Sequence, residues 1–110
     1  MRELKFRVWD EKYHCWDNSP IICYPNEDFK KQGRTIQQYT GCHDSTNKEI
    51  YEGDILEYNH GNGINVGYVG FTSGIFFLNY SDENNDELGY LLVSNIKIIG
   101  NIFENKELLK

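Results

Sequence analysis

The chain has 110 residues and a formal net charge of −6, with 17 Asp and Glu against 11 Lys and Arg. A chain of this length folds as one compact unit or as two small subdomains sharing a core, so three full domains are excluded. No run approaches the roughly 20 apolar residues of a membrane span and the start MRELKFRVWDEK lacks the apolar stretch of a signal peptide, so a cytoplasmic protein without a membrane partner is expected.

Alanine is absent, and the core must come from 8 Tyr, 6 Phe, 2 Trp and the Ile, Leu and Val set. Together with 10 Gly, this composition suits strands and tight turns better than helical packing. Cys15, Cys23 and Cys42 are odd in number and lack CxxC spacing, which predicts reduced thiols. Residues 1–34 hold seven Lys/Arg against six Asp/Glu, a balance of +1, and residues 35–110 hold four against eleven, a balance of −7. The acidic C-terminal part should repel nucleic-acid phosphates.

In chain order, Leu4, Phe6 and Val8 alternate with Lys5, Arg7 and Trp9 at the period of a half-buried strand. Asp10 to Lys12 reads as a turn and Tyr13 to Trp16 as a returning strand, giving a hairpin. Asn18-Ser19-Pro20 ends it, and Ile21 to Tyr24 is a third apolar run closed by Pro25. Asn26-Glu27-Asp28 can cap a brief helical turn through Lys31, with acids at its start and Lys30, Lys31 and Arg34 at its end. Thr35 to Thr40 is again strand-like, and Gly41 to Asn47 is a loop whose Asp44, Ser45 and Asn47 can bond the local backbone.

From Gly53 onward, Asp54 to Tyr58, Ile64 to Phe71, Ile75 to Tyr80, Leu88 to Ser94 and Ile96 to Phe103 are five successive strand candidates. His60-Gly61-Asn62-Gly63 carries an Asn-Gly pair, a type I′ hairpin signal, and Ser73-Gly74 and the acidic loop Ser81 to Glu87 supply the next reversals. Five short antiparallel strands rich in β-branched and aromatic residues close most readily into a small SH3-like barrel, which removes exposed edges. The expected fold is therefore mainly β (α+β). An α+β portion at residues 1–48 packs on an antiparallel barrel at residues 49–110, and a C-terminal helical turn at Glu104 to Leu109 docks Leu108 and Leu109. The expected core includes Leu4, Phe6, Val8, Ile55, Val66, Val69, Phe76, Leu91, Ile98 and Ile102.

Three segments in collinear order carry a family resemblance: LKFRVWD (Leu4 to Asp10), QYTGCHDSTNKEIYEGDIL (Gln38 to Leu56) and IIGNIFENKELL (Ile98 to Leu109). On these the chain resembles the YopX-like proteins of bacteriophages and prophages. The resemblance implies a phage-encoded accessory protein with a small N-terminal α+β portion packed on a barrel. It supplies no catalytic residues and no biochemical activity.

The residues themselves point away from several chemistries. Gly61, Gly63, Gly67, Gly70 and Gly74 are interrupted by Val66, Tyr68, Val69 and Phe71 at strand spacing, so they do not form a phosphate loop opening a helix. His14-Cys15, Cys23, Cys42-His43 and His60 hold enough donors for zinc, but neighbours on a strand face opposite ways, and the cysteines read better as small apolar residues. Cys42 and His43 are adjacent, a poor arrangement for a nucleophile and its base.

Asp10, Asp44, Glu52 and Asp54 could be imagined as a hydrolytic carboxylate pair, but Asp10 and Asp44 fall in turns they can cap and Gly53-Asp54 leads into a strand. Tyr39, Tyr51, Tyr58, Tyr68, Phe71, Phe76, Phe77 and Tyr80 lack the interleaved Lys or Arg that a single-strand binding groove requires. Asp82, Glu83, Asp86 and Glu87 form a dense acidic loop, either a solvated hairpin tip or a mimic of a phosphate row.

No catalytic residue, metal ligand or cofactor site is assigned from the sequence. The expected function is non-enzymatic, through self-association as a homo-oligomer or contact with a host protein. The alternative is a nucleic-acid-associated regulator using Arg2, Lys5, Arg7, Lys30, Lys31 and Arg34, and a weaker one is a small hydrolase.

Overall fold

The computed structural model describes residues 5–17, 33–80 and 84–109 as nine strands and three short 3-10 turns. β1 (Phe6–Asp10) and β2 (Cys15–Asp17) form the expected hairpin, with Trp9 opposite Trp16. Asp10 shapes its turn by accepting the backbone N–H groups of Lys12 at 3.0 Å and Tyr13 at 3.2 Å. β3 (Arg34–His43) pairs with β1 along Arg34 to Gln38, then shifts register and pairs with β4 (Glu49–Tyr51) through Tyr39 and His43. Gly41 lies in that shift at φ +85°, a conformation glycine adopts without strain. The first sheet thus has the order β2-β1-β3-β4.

The second sheet is an antiparallel run of β5 (Asp54–Asn59), β6 (Ile64–Thr72), β7 (Ile75–Tyr80), β8 (Asn85–Glu87) and β9 (Ile96–Asn101), ordered β8-β7-β6-β5-β9. The fold is mainly β and barrel-like, as the succession of short strands predicts. Ser73 (φ +53°) and Gly74 (φ +81°) make the two-residue type I′ turn between β6 and β7. The turn between β5 and β6 differs from expectation. It is a four-residue loop closed by the His60 N–H donating to the Gly63 carbonyl, with positive φ at Gly61 and not at Asn62.

One expected strand is replaced. Leu88 to Ser94 forms two 3-10 turns, Leu88–Tyr90 and Val93–Asn95, because Asn85–Glu87, expected as loop, takes the place beside β7 that it would have filled. Of this apolar run only Leu88 is buried, while Tyr90, Leu92 and Val93 face solvent. The C-terminal turn appears as a 3-10 turn at Lys106–Leu109 packed against β6, with Leu109 half-buried and Leu108 exposed. The run Ile21 to Tyr24 and the helical turn through Lys31 lie outside the described residues.

The core of the second sheet is built from Leu56, Tyr58, Val69, Phe76, Leu78, Leu88 and Ile96, and Ile50 of β4 packs into it from the first sheet, with Cys42 beside it. Pairing places Leu56, Gly67 and Leu78 on one face, and an added Cβ at Gly67 would lie 2.3 Å from the Asn79 carbonyl oxygen, so this closely packed position admits only glycine. A second cluster forms around Trp9, which stacks on Phe103 at 5.2 Å and meets Trp16 edge-on at 5.0 Å.

Of the expected core, Val8, Ile55, Val69 and Phe76 are buried, whereas Val66, Leu91, Ile98 and Ile102 are half-buried. Phe6 is exposed, since it starts β1 at the point where β3 turns away toward β4. Leu4 lies outside the described residues.

Candidate functional site

A cleft of about 190 Å³ opens between the two sheets. β3 contributes Thr40 and Cys42, β7 contributes Ile75 and Phe76, and the chain from β8 into the first 3-10 turn contributes Glu87 and Leu88. Burial of Phe76 and Leu88 in the core gives the cleft apolar walls. The Thr40 hydroxyl is already committed, donating to the Ile50 carbonyl at 2.7 Å and accepting the Cys42 N–H at 3.1 Å. Glu87 is half-buried, and no cation pairs with it among the described residues. Beside the cleft, Phe71 packs on Phe76 at 4.6 Å and remains 42% exposed, and Ile75 is 38% exposed. Tyr90, two residues beyond Leu88, is 83% exposed.

The carboxylates considered for hydrolysis are each held by structural partners. Asp54, at the start of β5, binds Arg7 at 2.7 Å through one oxygen and accepts the Tyr51 N–H at 2.8 Å through the other. Burial pushes its carboxyl above the ordinary range, and the Arg7 guanidinium opposes that rise. Asp44 closes the loop after β3, accepting from the Thr46 N–H and hydroxyl, the Lys48 N–H and, across the sheets, the Ile98 N–H at 3.1 Å. Burial disfavours its charge, but these donors outweigh the effect and hold its carboxyl below the ordinary range. Glu52 accepts the Gln38 N–H at 3.1 Å, and Asp10 holds its own turn and faces Arg34 at 3.8 Å. Asp44 also adds its charge to the rise at Asp54.

The sulfur and imidazole groups are likewise dispersed. Cys15 is exposed, Cys42 packs on the core, and Cys23 lies outside the described residues. His14 meets Trp9, His43 meets Tyr39, and His60 sits against Tyr58 and Tyr80. Among the described residues no three His, Cys, Asp or Glu side chains are placed to hold a metal ion. Tyr80 donates to Asp86 at 2.8 Å, and burial followed by that hydrogen bond raises its phenol above the ordinary range.

Of the basic residues considered for nucleic acid, the described ones, Lys5, Arg7 and Arg34, are paired as well. Lys5 binds Glu49, Arg34 faces Asp10, and Arg7 bonds Asp54 and Gln37 while lying over the rings of Trp16 at 4.2 Å and Tyr51 at 4.8 Å. Burial, then the charge of Glu49, raise the Tyr51 phenol, opposed by Lys5 and Arg7. The sequence reading missed both the Arg7–Asp54 contact and the cleft that Cys42 and Glu87 both line. Nothing local marks either, because each joins segments far apart in the chain.

The chain is similar in fold to two solved structures. Protein EF1440 from Enterococcus faecalis is 25% identical with a TM-score of 0.71, and YopX from Bacillus subtilis is 20% identical with a TM-score of 0.67, each match covering 100% of both chains. A search of the curated proteins finds no match. The profile of the family described as YopX protein matches residues 14–110, nearly the whole length, and the chain belongs to that family.

Proposed function

We propose that the protein acts through protein–protein contacts, as a phage or prophage accessory factor in the host bacterial cytoplasm that associates with itself or with a host protein. The observation carrying this reading is the apolar cleft bordered by exposed Phe71 and Ile75. Exposed apolar side chains gathered at a concave surface are the pattern of a contact site. Membership of the YopX family and a phage-type resemblance in three collinear segments support the accessory role.

The nucleic-acid alternative has less support, because Lys5, Arg7 and Arg34 are engaged with acidic partners and the C-terminal part is strongly acidic. No helix among the described residues is long and apolar enough to cross a membrane. The test is light scattering coupled to size exclusion on the wild type and on the Phe71→Glu/Ile75→Glu double variant. Self-association predicts a mass above one chain that drops in the variant. A mass of one chain for the wild type at micromolar concentration and low salt removes the oligomer.

A further inference from the structure

We propose that the cleft between β3 and β7–β8 is the receptor for one arginine side chain presented by a basic partner protein. This rests on the contact reading above and narrows it to a partner of defined chemistry. Its volume, about 190 Å³, suits one long side chain and falls below the ~300 Å³ at which small-molecule pockets begin.

Its chemistry is two-part. Ile75, Phe76 and Leu88 offer apolar walls, and among the described residues Glu87 is the one ionisable lining group besides the Cys42 thiol. With the Thr40 hydroxyl committed to the backbone, Glu87 is the group that selects the occupant. A purely apolar side chain would leave that half-buried carboxylate facing a desolvated contact, which is costly. An arginine lays its aliphatic stem along the walls, stacks its planar head on an aromatic face and bonds a carboxylate through two N–H groups. Arginine is also among the residues that dominate binding when seated in a pocket.

The source is a different protein. Of this chain's three arginines, the two among the described residues, Arg7 and Arg34, already face Asp54 and Asp10. A basic partner is instead drawn in by the −7 balance of residues 35–110, in which Asp82, Glu83 and Asp86 precede Glu87.

The test uses the intact chain and a capped pentapeptide, Gly-Leu-Arg-Leu-Gly, with a control in which neutral citrulline replaces the arginine. Amide shifts of Cys42, Gly74 and Gly89 report on the cleft. The arginine peptide should move all three saturably, and both the citrulline peptide and the Glu87→Gln variant should weaken binding about tenfold, the loss of one charge-assisted bond. The citrulline arm needs no variant and stands even if Glu87→Gln folds poorly. The proposal fails if these amides stay still up to about 10 mM peptide, a concentration that fills a millimolar site. It also fails if citrulline binds equally well, or if the same amides shift with protein concentration alone, which would seat a second copy in the cleft. If the peptide fails while Phe71→Glu/Ile75→Glu still abolishes association, only the arginine assignment falls. If the peptide binds and the wild type has the mass of one chain, only self-association falls.

Discussion

Arg7 on β1 and Asp54 at the start of β5 meet at 2.7 Å, the side chains 22% and 4% exposed, and the contact ties the first sheet to the second. The guanidinium also bonds Gln37 and the Glu52 carbonyl and lies over Trp16 and Tyr51, so one side chain touches four segments of the chain. A buried charge pair costs desolvation to form, but removing one partner leaves the other uncompensated.

Asp54→Ala is therefore expected to lower unfolding stability by roughly 3 kcal/mol, by stranding Arg7. The double variant Arg7→Met/Asp54→Leu should cost clearly less than the sum of the two single replacements. Urea unfolding of the four proteins measures the coupling, and simple additivity would show that the pair does not act as a unit.

Asp44 and Asp54 predict opposite responses to acid. The Asp44 carboxyl is lowered in the folded state, so its stabilisation is present above about pH 4 and is lost as pH falls through its folded value. The Asp54 carboxyl is raised, so its contribution is present below about pH 4 and is lost as pH rises through its folded value. Asp44→Asn should flatten the loss of stability below about pH 4, and Asp54→Asn should remove the gain in stability that acidification down to about pH 4 brings. Urea midpoints from about pH 2 to pH 7 decide, and curves parallel to wild type would deny either carboxyl a part in the pH dependence of stability.

Gly53 sits at the junction at φ +83°, donating to the Val69 carbonyl and accepting from the Ile102 N–H, and an added Cβ would come within 2.0 Å of Gln37 Nε2. Gly53→Ala should cost well above ~1 kcal/mol, since both backbone and space are incompatible. Gly63, with open space around it, is the control, and Gly63→Ala should be near neutral. Thermal melts that rank the two alike would contradict the junction geometry.

Leu56 and Leu78 are fully buried in the second sheet, while Ile64 on β6 is exposed. Truncating either leucine to alanine should cost ~2 to 5 kcal/mol, and Ile64→Ala should stay within about 0.5 kcal/mol of wild type. Chemical denaturation separates these outcomes, and a small effect at Leu78 would displace the core from the β5–β6–β7 face.

The strands were legible where alternation or a continuous apolar run was bounded by turn residues, as at Phe6 to Asp10, Ile64 to Thr72 and Ile75 to Tyr80. The first apolar run after the acidic loop was misread, because Leu88 to Ser94 has strand composition but buries only Leu88, and β8 had already taken the edge beside β7. β4 falls in a stretch that the sequence assigns to no element, since its three residues carry one core side chain, Ile50. The structural use of Asp10 and Asp44 was readable from turn chemistry. The Arg7–Asp54 tie and the Cys42–Glu87 cleft depend on pairing between distant segments, which no local period encodes.

The face-to-face stacking of Trp9 on Phe103 sets an order of events during synthesis. Trp9 leaves the ribosome early but gains its covering ring only after Phe103 has emerged, just as Arg7 waits for Asp54. The portion made first thus receives this part of its apolar cover last. Nascent chains stalled before Phe103 should stay open to protease in β1 to β3, whereas released chains should resist it.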